Sequence, residues 1–193
     1  MKKVFLCETI AESAYERLCR NFEVTDSLDD VSEIEGIITR NKPVDRNLIA
    51  SAKKLKVIAN HGSGSDFIDL KAAAEYGVAV ENAPGLNSRS VAELALGFLL
   101  ALNFKMKMND AGLKEDRFKN FGTAELRGHE VYGKKPGIIG SGNIARQLAS
   151  ILKNGFGCNE IYCWNPRRTA KELKELGFKK LKLWKNFLPP LIL

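Results

Sequence analysis

Pro136-Gly137-Ile138-Ile139-Gly140-Ser141-Gly142-Asn143-Ile144-Ala145 is the stretch on which the reading of the whole chain turns. An apolar strand enters a Gly-x-Gly-x-x-Ala turn, and an amphipathic helix leaves it from about Asn143 to Lys153. A second strand, Glu160 to Trp164, follows a glycine-bearing loop. Gly140 permits the tight turn, Gly142 lets the backbone approach a pyrophosphate, and small Ala145 lets helix and strand pack closely. The helix N-terminus then offers unpaired N–H groups and a positive dipole end to phosphates. Sixteen glycines in one chain produce such spacings by accident, so the reading rests on the strand-turn-helix context. The alternative is a structural glycine turn. Pro136 is tolerated because it opens the strand.

About 20 residues beyond such a turn, an acidic residue that accepts from the ribose hydroxyls marks NAD selectivity. Asn165 stands there, followed by Pro166, Arg167 and Arg168. Asn165 does not repel a 2′-phosphate and the two arginines can pair with one, which favours NADP(H) over NAD(H). The competing reading makes both arginines solvated residues opening the next helix.

Outward from this unit, the first half alternates short apolar runs with helical stretches. Val4-Phe5-Leu6, Glu23-Val24-Thr25, Gly36-Ile37-Ile38-Thr39, Lys56-Val57-Ile58-Ala59 and Val78-Ala79-Val80 read as strands. Helices are expected over Ala11 to Arg20, around Leu48 to Ala52, and over Leu70 to Tyr76, the last capped by Asp69 and ended by Gly77. Strands alternating with helices predict an α/β fold with a parallel sheet. From Ser90 a long helix is expected: Ser90-Val91-Ala92-Glu93 reads as a capping box. Val91, Leu94, Ala95, Phe98, Leu99 and Leu102 form one apolar stripe, to be buried against a domain or a partner subunit. Residues 106 to 135 read as a helix end and surface connection.

The chain has 193 residues, 45% hydrophobic and 27% charged, with a formal charge of +7. That composition is globular rather than disordered or fibrous. The charge is uneven: residues 164 to 193 carry eight basic side chains against two acidic ones, whereas residues 1 to 163 balance 22 basic against 21 acidic. A nearly neutral body argues against a nucleic-acid binder, which needs positive charge over its folded face. Trp184 and Phe187 among the tail lysines leave open a nucleic-acid or acidic-membrane contact there, against a solvated end. Cys7, Cys19, Cys158 and Cys163 show neither CxxC spacing nor a histidine at ligand spacing. They read as reduced thiols of a cytoplasmic protein without a metal site. The apolar run after Lys3 is too short for a signal peptide, and the longest, Leu94 to Leu102, is too short to span a membrane.

Four ordered motifs carry a resemblance. They are Leu55-Lys56-Val57-Ile58-Ala59-Asn60-His61-Gly62-Ser63-Gly64-Ser65-Asp66-Phe67-Ile68-Asp69-Leu70, Val80-Glu81-Asn82-Ala83-Pro84-Gly85, Ser90-Val91-Ala92-Glu93-Leu94-Ala95 and Gly137-Ile138-Ile139-Gly140-Ser141-Gly142. Together they resemble the D-isomer-specific 2-hydroxyacid dehydrogenases, over roughly residues 1 to 180. The resemblance implies a flavodoxin-like substrate domain over residues 1–88 and an incomplete Rossmann cofactor domain over residues 89–193, with substrate in the cleft between them. It implies an NAD(P)-dependent oxidoreductase moving hydride to or from a small 2-oxo or 2-hydroxy acid, assembled as a homodimer. Carried over by position, Ser63 and Gly64 hold the substrate carboxylate through backbone N–H groups, as a glycine-turn nest does. Asn143, Ile144 and Asn165 meet the cofactor, and Ala83 lies on the nicotinamide side.

The family's catalytic arginine, glutamate and histidine are expected beyond residue 193, and neither His61 nor His129 falls on the catalytic position. From about residue 181 the ending, with its double proline, departs from the family and suggests truncation or an out-of-frame tail. A second reading is a non-catalytic dinucleotide-binding regulator, since some relatives of the family are transcriptional corepressors.

Overall fold

A computed structural model of the chain describes residues 1–115 and 126–182. Most of the atypical ending, including Trp184 and Phe187, lies outside the described residues, as does part of the 106–135 connection. The chain divides into two compact units, Met1–Asn87 and Ser88–Leu193.

The first unit runs β1 (Lys3–Leu6), α1 (Glu12–Cys19), β2 (Glu23–Thr25), a short 3-10 turn, β3 (Ile34–Thr39), α2 (Arg46–Ser51), β4 (Val57–Asn60), α3 (Leu70–Glu75) and β5 (Ala79–Glu81). All five strands pair in parallel in the order β2-β1-β3-β4-β5, which is the flavodoxin-like order. Ile34, Ile37 and Ile58 are 0–1% exposed, as strands of a parallel sheet covered on its faces should be. Right-handed crossovers decide which helix lies where. The chain steps one way from β1 to β2 and the other way from β3 to β4 to β5, so α1 lies on one face and α2 with α3 on the other. The predicted cap of α3 is present, Ala72 N–H donating to Asp69 Oδ1 at 2.8 Å, and Gly77 follows with φ 69°. Asp45 caps α2 in the same way, and that helix begins at Arg46, two residues before the expected start.

The second unit contains α4 (Ser88–Asn103), α5 (Met106–Lys114), β6 (Gly137–Ile139), α6 (Asn143–Phe156), β7 (Tyr162–Trp164), α7 (Ala170–Glu175) and β8 (Lys179–Lys180). The strands are parallel in the order β6-β7-β8. Ala145, Ala149 and Leu152, spaced four and three apart on α6, close onto Ile161, Cys163, Leu173 and Phe178, and Leu96, Leu99 and Leu100 of α4 pack against that cluster.

Three expectations change here. α4 begins at Ser88, so Ser90 and Glu93 lie inside the helix and form no capping box. Glu93 instead reaches back one turn, its Oε1 accepting from Arg89 Nε at 2.7 Å. The buried stripe is also rotated: Ala92, Leu96, Leu99 and Leu100 face the core, whereas Leu94, Phe98 and Leu102 are 56%, 62% and 78% exposed. Finally, residues after 105 continue as a separate helix, α5, beyond a break at Lys105, whose φ of 51° is left-handed. Among the described residues, no helix is long and apolar enough to cross a membrane.

Candidate functional site

Two loops carry the predicted binding residues, one in each unit. In the first unit β4 ends at Asn60 and the chain turns through His61-Gly62-Ser63-Gly64-Ser65 before α3. Ser63 and Gly64 are exposed. Ser63 Oγ donates to Asn87 Oδ1 at 2.9 Å, and Asn82 Nδ2 donates to the Ser63 carbonyl at 3.0 Å. Ala83 meets the same loop, its N–H donating to the Gly62 carbonyl at 2.8 Å. Asn60 Nδ2 donates to the Gly64 carbonyl. His61 is held through its backbone, its N–H on the Thr39 carbonyl at 2.7 Å. Asn60 and His61 also line a cavity of about 500 Å³ with Ile38, Ala59, Ala14 and Leu18.

The neighbouring loop after β3 is organised by a residue the sequence reading passed over. Glu8 Oε2 accepts the backbone N–H groups of Arg40, Asn41 and Lys42 at 2.6, 2.9 and 3.4 Å. These hydrogen bonds, led by the one from Asn41, hold its carboxyl below the usual carboxylate range. Glu8 and Lys42 border a second cavity, of about 610 Å³, at the carboxyl ends of β1 and β2. Open α/β sheets bind their ligands at strand ends of this kind.

In the second unit Gly140 has φ 91° and its N–H donates to the Trp164 carbonyl at 2.9 Å, which ties the turn to the end of β7. Gly142 caps α6 with no side chain to offer the first-turn N–H groups, and a Cβ built on Gly140 or Gly142 meets no atom within 4 Å. That combination of an open approach and a helix start without a side-chain cap fits a pyrophosphate. Asn143 and Ile144 are exposed in the first turn, with Asn143 Oδ1 accepting from Arg146.

Asn165 is engaged at both ends: its Nδ2 donates to Ser141 Oγ at 2.9 Å and its Oδ1 accepts Arg167 N–H at 2.9 Å. It bridges the glycine turn and the loop that carries Arg167 and Arg168, both exposed. That loop enters α7 through a capping box made by Thr169 and Glu172, which the Thr-x-x-Glu spacing signalled and the sequence reading missed. Cys7, Cys158 and Cys163 are buried, and burial pushes all three thiols up, away from the reactive thiolate. Among the described residues, no cluster of His, Cys, Asp or Glu could hold a metal ion.

Residues 4–183 match the family described as D-isomer specific 2-hydroxyacid dehydrogenase, catalytic domain. The chain is 34% identical over 187 residues to a D-3-phosphoglycerate dehydrogenase of Archaeoglobus fulgidus, a match covering 92% of this chain and 34% of that one. Among solved structures it resembles the TT0316 protein of Thermus thermophilus, with 26% identity, a TM-score of 0.80, and coverage of 93% and 59% of the two chains. It also resembles the D-lactate dehydrogenase of Escherichia coli, with 27% identity, a TM-score of 0.65, and coverage of 94% and 60%. The chain spans between 25% and 61% of the length of the curated relatives it matches.

Proposed function

The chain belongs to the D-isomer-specific 2-hydroxyacid dehydrogenase family, and from that premise we propose that it binds a nicotinamide dinucleotide and a small 2-oxo or 2-hydroxy acid, in the manner of an oxidoreductase acting on CH–OH groups. The observation that carries the reading is the pair of glycine loops, one per unit, each presenting backbone N–H groups at the carboxyl end of a parallel strand. Met1–Asn87 is assigned the substrate and Ser88–Leu193 the cofactor. Ser63 and Gly64 take the substrate carboxylate, and Ala83 stands on the nicotinamide side. Gly142, Asn143 and Ile144 take the pyrophosphate at the cofactor turn that Gly140 shapes, while Arg167 and Arg168 take a 2′-phosphate, so NADP(H) is preferred over NAD(H). Asn165 acts by holding the loop of those arginines against the glycine turn. A bound nicotinamide supplies or receives the hydride.

No residue of this chain is assigned proton transfer. His61 and His129, the two histidines of the sequence, donate their backbone N–H groups to the carbonyls of Thr39 and Asn103, and among the described residues no carboxylate is hydrogen-bonded to either. The chain is accordingly proposed to bind without turning over. The exposed face of α4, with Leu94, Phe98 and Leu102, is proposed as the contact of a homodimer in the cytoplasm.

Titration with NADPH and NADH, followed by the fluorescence of Trp164, tests the cofactor assignment, with glyoxylate and hydroxypyruvate reduction assayed in parallel. Tighter NADPH binding without reduction is expected. No binding of either nucleotide refutes the glycine-turn assignment, and turnover refutes the assignment of this chain to binding alone.

A further inference from the structure

We infer that Asn82 and Asn60 are positioning residues that aim a three-amide anion nest, made by Ser63, Gly64 and, beyond the expected pair, Ser65. This rests on the proposed role of the loop as a carboxylate site and names what shapes it.

A trans peptide is planar, with its C=O and the following N–H pointing in opposite directions, so holding one fixes the other. The peptide bonds of this loop are trans. Three consecutive peptide planes in the loop have their carbonyls held, each by a different donor. Gly62 O accepts from Ala83 N–H at 2.8 Å, Ser63 O from Asn82 Nδ2 at 3.0 Å, and Gly64 O from Asn60 Nδ2. The amides at the far ends of those planes belong to Ser63, Gly64 and Ser65. Among the described residues none of these three N–H groups has a protein acceptor. Successive open amides beside held carbonyls offer an incoming anion fixed partial positive charge without a side chain.

The state of Asn60 supports this assignment. Among the described residues its buried Oδ1 has no hydrogen-bond partner, an unfavourable arrangement for an amide oxygen. Rotating the amide to exchange its ends would set Oδ1 against the Gly64 carbonyl, two acceptors facing each other, so the side chain keeps its donor on the loop and leaves its acceptor unmatched. Ser63 Oγ is turned to Asn87, away from its own amide. The carboxylate of Asp66 lies beside Gly64, its Oδ2 2.9 Å from where a Gly64 Cβ would stand, and opposes an incoming anion.

The test uses the full chain, with pyruvate as probe and NMR as readout. Pyruvate is expected to shift the Ser63, Gly64 and Ser65 amide signals. Asn82→Asp keeps the size of the side chain and removes the donor. It is expected to reorient the Gly64 N–H, read from residual dipolar couplings in the ligand-free protein, and to weaken pyruvate binding roughly tenfold, about one charge-assisted hydrogen bond. Asn82→Gln, which keeps the donor, recovers most of that loss, and NADPH affinity stays unchanged in both. Asn60→Leu makes the same test at the Ser65 amide should Asn82→Asp fold poorly, and Asp66→Asn is expected to tighten pyruvate. Unchanged amide orientation and unchanged pyruvate affinity in Asn82→Asp and Asn60→Leu overturn the inference. A wild-type chain that ignores pyruvate while Asn82→Asp still turns the Gly64 amide refutes the carboxylate reading and leaves the positioning role standing.

Discussion

Replacing Gly140 and Gly142 separately by alanine tests whether the glycine turn does two different jobs. At Gly140 the space around a Cβ is empty but φ is 91°, so the cost is backbone strain alone, about 1–2 kcal/mol for an L-residue. If the turn relaxes instead, Gly140 N–H leaves the Trp164 carbonyl, and the loss is again about 1 kcal/mol. At Gly142 the backbone lies at φ −74° and ψ −170°, which alanine adopts freely, and the space is again empty. There the reduced entropy of the unfolded chain, about 0.5 kcal/mol, offsets the weaker N-cap preference of alanine, so stability should stay within about 0.5 kcal/mol of wild type. The Gly142→Ala methyl would nevertheless stand where a pyrophosphate approaches the α6 N-terminus. Urea unfolding and NADPH titration of both variants separate the effects. Gly140→Ala should lose stability, whereas Gly142→Ala should lose roughly tenfold or more in NADPH affinity at unchanged stability. Equal destabilisation by the two, or normal NADPH binding by Gly142→Ala, would refute the division of labour.

Other perturbations probe the frame around that turn. Asp69→Ala removes the acceptor for Ala72 N–H and should cost about 1 kcal/mol in urea unfolding. Phe98→Asp, at a position 62% exposed, should leave the far-UV circular dichroism unchanged and convert a dimer to a monomer by light scattering; a monomeric wild type would remove the proposed α4 contact. The Glu160 carboxyl is held at about 2 rather than 4.5 by Lys179 first and Lys135 second. Its folded value is depressed, so its stabilisation is fully present above pH 4.5 and is lost as the pH falls towards 2. Glu160→Gln should therefore flatten the pH dependence of stability in that window, most clearly at low salt.

What was legible in the sequence was local and periodic. The five strands of the first unit and the turn-helix-strand of the second follow from short apolar runs between turn residues, and Asp69 and Gly77 marked α3 from its ends. The α4 stripe is a pattern with two solutions. Apolar residues lie on more than one face of α4, and periodicity alone does not say whether Leu94 and Phe98 or Leu96 and Leu100 meet α6 and its cluster. The Ser90 box failed because a start at Ser88 puts the Glu93 N–H inside the helix, one turn beyond Arg89, where a Ser90 side chain has no open amide to cap. Glu8, Asn60 and Asn82 were illegible for another reason. Glu8 acts on residues 40 to 42 and Asn82 on residue 63, far away in sequence where no spacing rule reaches, and Asn60 acts four residues on, across an irregular turn that no helix or strand period describes.

The same backbone logic accounts for the charge distribution. A protein that captures two anionic groups with lysines and arginines concentrates positive charge around both, and residues 1 to 163 carry almost none in excess. Here both loops present amides instead: three of them beside held carbonyls after β4, and the first turn of α6 after Gly142. Amides contribute partial charges without a counter-ion to displace or a long side chain to immobilise, and their direction is set by hydrogen bonds already formed in the folded chain. Arg167 and Arg168 are the exception, placed after β7 where the proposed ligand group is a doubly charged phosphate monoester. On this reasoning, salt should weaken NADPH binding more steeply than pyruvate binding, because only the former engages mobile cationic side chains at the surface. Titrations between about 0.05 and 0.5 M NaCl read the two slopes directly, and equal slopes would place a cationic side chain in the carboxylate site.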